Sequence, residues 1–411
     1  MCLLPFFQEK SLNNERILTG RHFMQGNIAC AEGALAAGCS FMAGYPITPA
    51  TEISERLAIR LPALKNDDGV FIQMEDEISS LAAVIGASWT GKKAMTATSG
   101  PGISLMQEHV GYAVGTETPC VIVDVQRGGP TTGIPSVELQ GDTVQVRRGS
   151  HGEYEIIAVA PASPQELFDH TILAFNLAER YRTPVFVMSD AFIGHMREEV
   201  IIPEPEKIEI LMRKVPEKGF DSETDQGFLS EDVAPMPIFG RGFKSHVTSS
   251  CHTETGSRNV TDAFALDNFI RKLSAKITKH RDEIVRVVDR TDDADIAIVS
   301  YGSVYRAARA ASMFAREEGM RVGTFRPVTL WPFPDKEIAE MSKRVKAILV
   351  MENNLGQLIP FVKAESSCPV YFLAPDILGT LPEIKSMLGK LKEIHKAVTY
   401  RRRIRNIHKL R

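Results

Sequence analysis

From Gly26 to about Ile202, short apolar runs alternate with small-residue or amphipathic stretches, with Gly and Pro at the junctions. That alternation is the pattern of an α/β sheet domain. Ala29 to Ala37 is small and helix-favouring, Cys39 to Tyr45 is a short apolar strand ending in a proline-rich turn, and Thr51 to Leu61 reads as a helix with acidic residues in its first turn. Val70 to Met74 is a strand. Glu77 to Thr90, rich in Ala, Ser, Leu and Ile, reads as a buried helix, and Ala94 to Thr98 is a strand entering the turn Ser99-Gly100-Pro101-Gly102, after which a further helix is expected. Pro119 to Gln126 contains CVIVDV, an apolar run suited to a parallel strand covered on both faces, and it stops at Arg127-Gly128-Gly129-Pro130. Ile156 to Ala160 and Pro184 to Ser189 add two strands, with the helix Pro164 to Tyr181 between them.

Between Ile202 and about Val260 the regularity fails and Pro, Gly and polar residues accumulate. A connection this long either packs over a neighbouring surface or is partly mobile. Asp262 to Asp289 then reads as a charged amphipathic helix, and a second α/β unit opens with the strand IAIVSYG. A helix through Arg316, a strand at Val322 to Arg326, a helix at Lys336 to Arg344 and the strand AILVME follow. The pattern predicts an extension at 1–21, a first α/β domain at 22–202, a linker and connecting helix at 203–290, a second α/β domain at 291–400 and a basic tail at 401–411.

Composition narrows the partners. At 411 residues the chain is about three times a domain of roughly 100–150 residues, so two or three domains are expected. No apolar run approaches the roughly 18 residues of a bilayer span, so no membrane partner is expected. The 48 basic and 51 acidic residues leave a net charge of −3, which offers a polyanion no global field, so nucleic acid is not expected either. The basic tail could touch RNA or a membrane surface, but such a terminal run is more often a solvated helix end or a subunit contact. Six cysteines are scattered at 2, 30, 39, 120, 251 and 368 without a C-x-x-C pair, as in a reduced cytoplasmic protein without a metal centre of its own. MCLLPFFQEK lacks a basic leader, so no signal peptide is expected, and the Asn259-Val260-Thr261 glycosylation pattern has no secretory context.

Four strand ends carry candidate chemistry. The turn Gly44-Tyr45-Pro46-Ile47-Thr48-Pro49 is stiffened by two prolines and can hold the Thr48 hydroxyl and nearby amides towards a small oxyanion, or serve simply as a rigid connection. Glu75, Asp76 and Glu77 precede an apolar helix; acidic residues suit a helix start, but a carboxylate carried inwards there can hold a proton or bond a heteroaromatic nitrogen. Arg127 ends the buried strand before a glycine pair, where its planar fork could grip a carboxylate or form a surface ion pair. Thr-Ser-Gly-Pro-Gly at 98–102 is a further turn of this kind, bringing Ser99 and Gly100 to the same end. Gly86 to Lys93 nearly fits a phosphate-binding loop, but Lys93 replaces the magnesium-holding hydroxyl and the segment follows a helix instead of a strand.

At these residues the chain resembles the alpha subunit of the 2-oxoacid:ferredoxin oxidoreductases, most of all the 2-oxoglutarate form. The resemblance rests on YPITP at 45–49, QMEDEI at 73–78, TSGPG at 98–102, QRGGPTTG at 126–133, GSHGEYE at 149–155, YRTPV at 181–185 and SDAFIGHMRE at 189–198. It continues through VSYGSV at 299–304, TLWPFP at 329–334 and ENNLGQL at 352–358. It implies a pyrimidine-binding thiamine diphosphate domain with a parallel sheet, followed by a transketolase C-terminal-like α/β domain. It further implies a cofactor shared with a beta subunit that binds the diphosphate and Mg2+. Clustered cysteine ligands are missing from this sequence, so the resemblance places the [4Fe-4S] clusters on partner subunits, with gamma and delta subunits, ferredoxin, a 2-oxoacid and coenzyme A as further partners. By motif position Glu77, in preference to Glu75, resembles the glutamate at the aminopyrimidine, Thr48 the substrate-binding threonine and Arg127 the arginine near the oxoacid carboxylate; Pro46, Ile47, Ser99 and Gly100 would line the cofactor. The activity implied is oxidative decarboxylation of 2-oxoglutarate to succinyl-CoA. Pyruvate or 2-oxoisovalerate as substrate, and a non-catalytic scaffold subunit, are the alternatives. The segment 252–256 is either a loop over the active-site entrance or a tie between domains.

Overall fold

A computed structural model describes residues 16–64, 68–222 and 232–409, with side chains as far as 400. The expected extension therefore falls largely outside the described residues, as do the side chains of the basic tail.

Seven strands form the first sheet, in the order Thr329–Trp331, Ile157–Val159, Pro184–Asp190, Cys120–Gln126, Ala94–Thr98, Phe41–Gly44, Val70–Gln73. All neighbours pair in parallel except Thr329–Trp331, which runs antiparallel to Ile157–Val159. The central strands Cys120–Gln126 and Pro184–Asp190 are buried along their whole length, as apolar runs covered on both faces must be. Helices Gly26–Ala36, Thr51–Arg60, Glu77–Trp89, Gly100–Gly115 and Pro164–Tyr181 cover the two faces.

The second sheet has the order Val370–Leu373, Ala347–Met351, Ile296–Val299, Val322–Pro327, Val287–Arg290, parallel but for its last member. Two departures from the sequence pattern occur here. The expected helix Asp262 to Asp289 stops at Thr278, and after a single turn at Arg281–Ile284 the β-branched Val287-Val288 enters a strand. Thr329–Trp331 leaves the second unit to close the edge of the first sheet, burying Leu330 and Trp331 and covering a strand edge that would otherwise be open.

The described part of the linker packs over the first domain. Arg213 is buried against Glu179 and donates to Ser88 O at 2.8 Å, while Arg182 reaches Ala234 O at 2.7 Å. His252 lies edge-on to Phe269, and Ser249 and Phe269 approach Gly115. The 249–256 segment thus packs where the C-terminal end of helix Gly100–Gly115 meets the connecting helix Ala263–Thr278. Lys93 Nζ bonds Ala37 O at 2.9 Å and Lys92 pairs with Asp68, so both lysines of the phosphate-loop look-alike hold the fold together.

Candidate active site

In an open parallel sheet, ligands bind beyond the carboxyl ends of the strands where the chain order reverses. Here the chain runs from Phe41–Gly44 outwards to Val70–Gln73, then returns to Ala94–Thr98 on the other side. Only Phe41 and Met42 keep register with Ala94 and Met95, so the two strands part towards their carboxyl ends and open a crevice. The turns after these strands, and those after Val70–Gln73 and Cys120–Gln126, supply every residue singled out from the sequence.

The turn 45–49 is fixed from three sides. Ala50 N–H bonds Ile47 O at 2.8 Å, Arg127 Nη1 bonds Thr48 O at 2.5 Å and Asn27 Nδ2 bonds Pro49 O at 2.7 Å. Pro46 and the Thr48 side chain are exposed and Ile47 is half-buried, so the hydroxyl is displayed by a backbone that cannot shift freely.

Helix Glu77–Trp89 starts from a capping box in which the Asp76 carboxylate accepts from Ser79 N at 2.7 Å. Asp76 therefore belongs to the cap and Glu75 lies exposed, whereas Glu77 turns inwards and is 4% exposed. Burial raises the pKa of Glu77, and the Asp76 charge adds to this; its own amide, a hydrogen bond with Thr98 and the Arg127 charge oppose it. Thr98 and Glu77 meet where residue 102 has no side chain: a Cβ there would lie 1.9 Å from Thr98 Oγ1 and 2.6 Å from Glu77 Oε1. Next to them Ser99 is buried with its hydroxyl lacking a hydrogen-bond partner among the described residues.

Arg127 is buried. Its Nη2 donates to Thr132 O at 2.7 Å, so each Nη spends one hydrogen on a carbonyl, while the buried Nε has no partner among the described residues. Burial lowers its pKa, and the charges of Asp142 and Glu77 oppose that fall. The structure thus brings Thr48, Glu77, Ser99 and Arg127 into one crevice.

The sequence pattern missed Asp124 and Asp142. Asp124, a lone charge inside a wholly buried strand, was the legible warning; nothing local marks Asp142. Its carboxyl oxygens would lie 3.3 and 3.4 Å from a Cβ at Gly100, so it lies against the start of helix Gly100–Gly115. Segment 138–144, which carries it, is gripped by the second domain: Asn354 Nδ2 bonds Gln140 O at 2.7 Å, Gln357 Nε2 bonds Gly141 O at 2.5 Å and Val144 N bonds Gln357 Oε1 at 3.0 Å. This is the work of the ENNLGQL motif.

Comparisons with known proteins agree with this architecture. A family model described as pyruvate flavodoxin/ferredoxin oxidoreductase, thiamine diP-bdg, matches residues 32–271, and one described as pyruvate:ferredoxin oxidoreductase core domain II matches 294–386. The chain is 50% identical over 376 residues to the 2-oxoglutarate synthase subunit KorA of Methanothermobacter marburgensis, covering 91% of this chain and 99% of that one. Among solved structures it is similar to the 2-oxoglutarate:ferredoxin oxidoreductase of Magnetococcus marinus, determined with 2-oxoglutarate, coenzyme A and succinyl-CoA bound. That match has a TM-score of 0.83 at 34% identity and covers 91% of this chain and 65% of that one. A split gene transketolase shares the fold, with a TM-score of 0.50 at 11% identity over 90% of this chain and 98% of that one.

Proposed function

The chain belongs to the 2-oxoacid:ferredoxin oxidoreductases, and from that premise we propose that it is the alpha subunit of a complex that oxidatively decarboxylates 2-oxoglutarate with coenzyme A, giving succinyl-CoA, carbon dioxide and reduced ferredoxin. The observation that carries this reading is the inward-turned Glu77, seated against Thr98 and within the field of Arg127 at the reversal of strand order. The donor set fits the aminopyrimidine end of thiamine diphosphate: a buried carboxyl, a glycine cradle that any Cβ would fill, and the free hydroxyl of Ser99. Pro46, Ile47, Ser99 and Gly100 would line the ring. Bound there, the cofactor supplies a nucleophilic carbon and an electron sink for the decarboxylation.

Each side chain then has a defined task. Burial favours the protonated form of Glu77, which can then face a heteroaromatic nitrogen, and Thr98 orients the carboxyl. Arg127, held by two carbonyls, turns its remaining N–H groups to the oxoacid carboxylate, and the displayed Thr48 hydroxyl supplies a second donor. Diphosphate and Mg2+ would be held by a beta subunit. Iron–sulfur clusters would sit on partner subunits, because the cysteines of this chain are dispersed and Cys30, Cys39 and Cys120 are buried free thiols. Among the described residues no helix is long and apolar enough to cross a membrane, and the free thiols suit a reducing cytoplasm. We assign the pyrimidine-binding domain to 22–202, the linker to 203–290 and the transketolase C-terminal-like domain to 291–400.

The test is an oxoacid panel with the assembled complex, following ferredoxin reduction. 2-Oxoglutarate should have the highest kcat/KM. Faster turnover of pyruvate or 2-oxoisovalerate would reassign the substrate, and wild-type turnover by a Glu77→Gln complex would leave this chain as a scaffold.

A further inference from the structure

The turn that displays Thr48 is held by residues for which the reaction outlined above has no use. Asn27 lies in the first turn of helix Gly26–Ala36 and is wholly buried. Its Nδ2 donates to Pro49 O at 2.7 Å and to Glu52 Oε2 at 2.8 Å, so both amide hydrogens are committed, one to the turn and one to the helix Thr51–Arg60 that follows it. Two successive carbonyls are thus gripped by side chains, that of Thr48 by Arg127 Nη1 at 2.5 Å and that of Pro49 by Asn27.

The motif at 189–198 builds the seat of Asn27. Asp190 Oδ1 accepts from Ile193 N at 3.0 Å and starts the short helix Ala191–His195. A Cβ at Gly194 would lie 2.7 Å from Asn27 Oδ1 and one at Gly26 would lie 2.1 Å from Ile193 O, so two glycines let the helix starting at Gly26 close on this turn of chain. Gly26 N–H bonds Met196 O at 3.0 Å and fixes the approach. Next to Gly194, His195 Nε2 lies 3.5 Å from Glu52 Oε1, which also accepts from Gln25 Nε2 at 3.2 Å. Glu52 is therefore held at both carboxylate oxygens.

We propose that Asn27 is a positioning residue for the oxoacid: it fixes the Pro49 carbonyl and with it the Thr48 hydroxyl, while Glu52, braced by Gln25 and His195, fixes the Asn27 amide. The effect on substrate rests on the reading of Thr48 as a donor to the oxoacid. Asparagine suits the task because one planar amide carries two N–H groups at a fixed angle, so the acceptor on Glu52 sets the direction in which the other hydrogen meets Pro49. The Thr48 side chain is exposed while Pro49 beneath it is buried, so the hydroxyl is only as well placed as the backbone that Asn27 and Arg127 hold. A misplacement of about 1 Å in a substrate-orienting group can cost on the order of 100-fold in rate. The motif at 189–198 thereby acts on the substrate donor through Asn27.

Two readouts on the assembled complex test this, oxoacid kinetics and amide hydrogen exchange over residues 45–53. Asn27→Ala should raise KM for the oxoacid roughly tenfold, the size expected when a buried carbonyl loses its donor, with kcat and thiamine diphosphate affinity little changed, and exchange over the turn should be faster. Glu52→Ala should move both readouts the same way to a smaller extent, and Glu52→Gln, whose amide oxygen still accepts from Asn27, should restore them. Should Asn27→Ala fail to assemble, the Glu52 pair decides, because Glu52 is partly exposed. An unchanged KM in Asn27→Ala overturns the positioning role, and so does a loss of cofactor affinity equal to the rise in KM, which would mark a collapsed crevice. Equal values in Glu52→Ala and Glu52→Gln overturn the bracing by Glu52. If Thr48→Val leaves KM unchanged, the reading of Thr48 as a donor fails and takes the effect on substrate with it, while the exchange data still decide whether Asn27 holds the turn.

Discussion

Arg127 Nη1 donates to the main-chain carbonyl of Thr48 at 2.5 Å, so the cation that ends one central strand is fastened to the turn that ends another. The two strands do not pair with each other; Ala94–Thr98 lies between them. This bond therefore spans the mouth of the crevice, and the geometry of the Thr48 hydroxyl and of the guanidinium is one quantity, not two.

Arg127→Lys should consequently fail to rescue what Arg127→Ala loses. A lysine keeps the charge but cannot reach Thr48 O and Thr132 O while presenting further donors. Both variants should lower kcat/KM for the oxoacid by roughly 10- to 100-fold, corresponding to about 1.5–3 kcal/mol for a hydrogen bond to a charged group. Steady-state kinetics on the assembled complex, with thiamine diphosphate affinity measured alongside, checks this; equal loss of cofactor affinity would indicate a collapsed crevice.

Glu77→Gln should cut kcat by about 10²–10⁴-fold, the usual contribution of a positioned acid, with the fold intact. Its raised pKa has a consequence for stability. The neutral carboxyl is the form the folded chain tolerates, so its stabilising term is complete below the ordinary glutamate pKa and is lost as pH rises through the elevated folded value. Thermal melts of wild type should fall more steeply with rising pH than those of Glu77→Gln, and parallel curves would contradict the burial argument.

What could be read in advance follows from how local each signal is. Strand Ala94–Thr98 and helix Pro164–Tyr181 have the expected bounds because their apolar pattern and their Gly, Pro or Ser boundaries coincide. The placement of Thr48, Glu77 and Arg127 at one end of the sheet was legible because Glu77 begins a helix, Arg127 follows directly on a strand end and Thr48 lies in the short proline-rich turn between a strand and a helix. Thr329–Trp331 was not, since three residues carry no periodicity and their partner strand lies about 170 residues earlier. Asp142 was hidden for the same reason: its position against the start of helix Gly100–Gly115 depends on a loop whose shape is imposed by Asn354 and Gln357 from the other domain.

Gly102→Ala should behave like a milder Glu77 variant. The added Cβ would collide with Thr98 Oγ1 and with Glu77 Oε1 and Cγ, the last at 2.7 Å, so the carboxyl must move. Overpacking of this kind costs about 1–3 kcal/mol, and the displaced acid should lower kcat. Full activity in a folded Gly102→Ala complex would show that the Glu77 position is not critical.

Glu117→Ala should be the most destabilising single change among these predictions. Glu117 is buried beneath helix Ala263–Thr278, bonded to Lys272 and, at 2.8 Å, to Lys276. Burial works against its charge, but Lys276, Lys272 and Arg182 outweigh it and hold the carboxyl far below the usual range. Removing one partner strands buried cations, a loss of about 3–5 kcal/mol that denaturant unfolding would measure.

Glu138 provides the opposite sign on the alkaline side. It lines a cavity of about 570 Å³ together with Phe192, His195 and Thr380, where burial and the Asp190 charge push its pKa up to about 8. The folded value lies above the ordinary 4.5, so the contribution of the neutral acid is whole below about pH 4.5 and is lost as pH rises through 8. Glu138→Gln mimics that neutral acid and keeps a group able to accept from Asn353 Nδ2, at 3.3 Å in the wild type. The variant should therefore melt with wild type at pH 5 and a few degrees above it at pH 9. A wild type as stable as the variant at pH 9 would mean that Glu138 already ionises at little cost, through water in the cavity or through movement of the 379–381 loop that forms its rim.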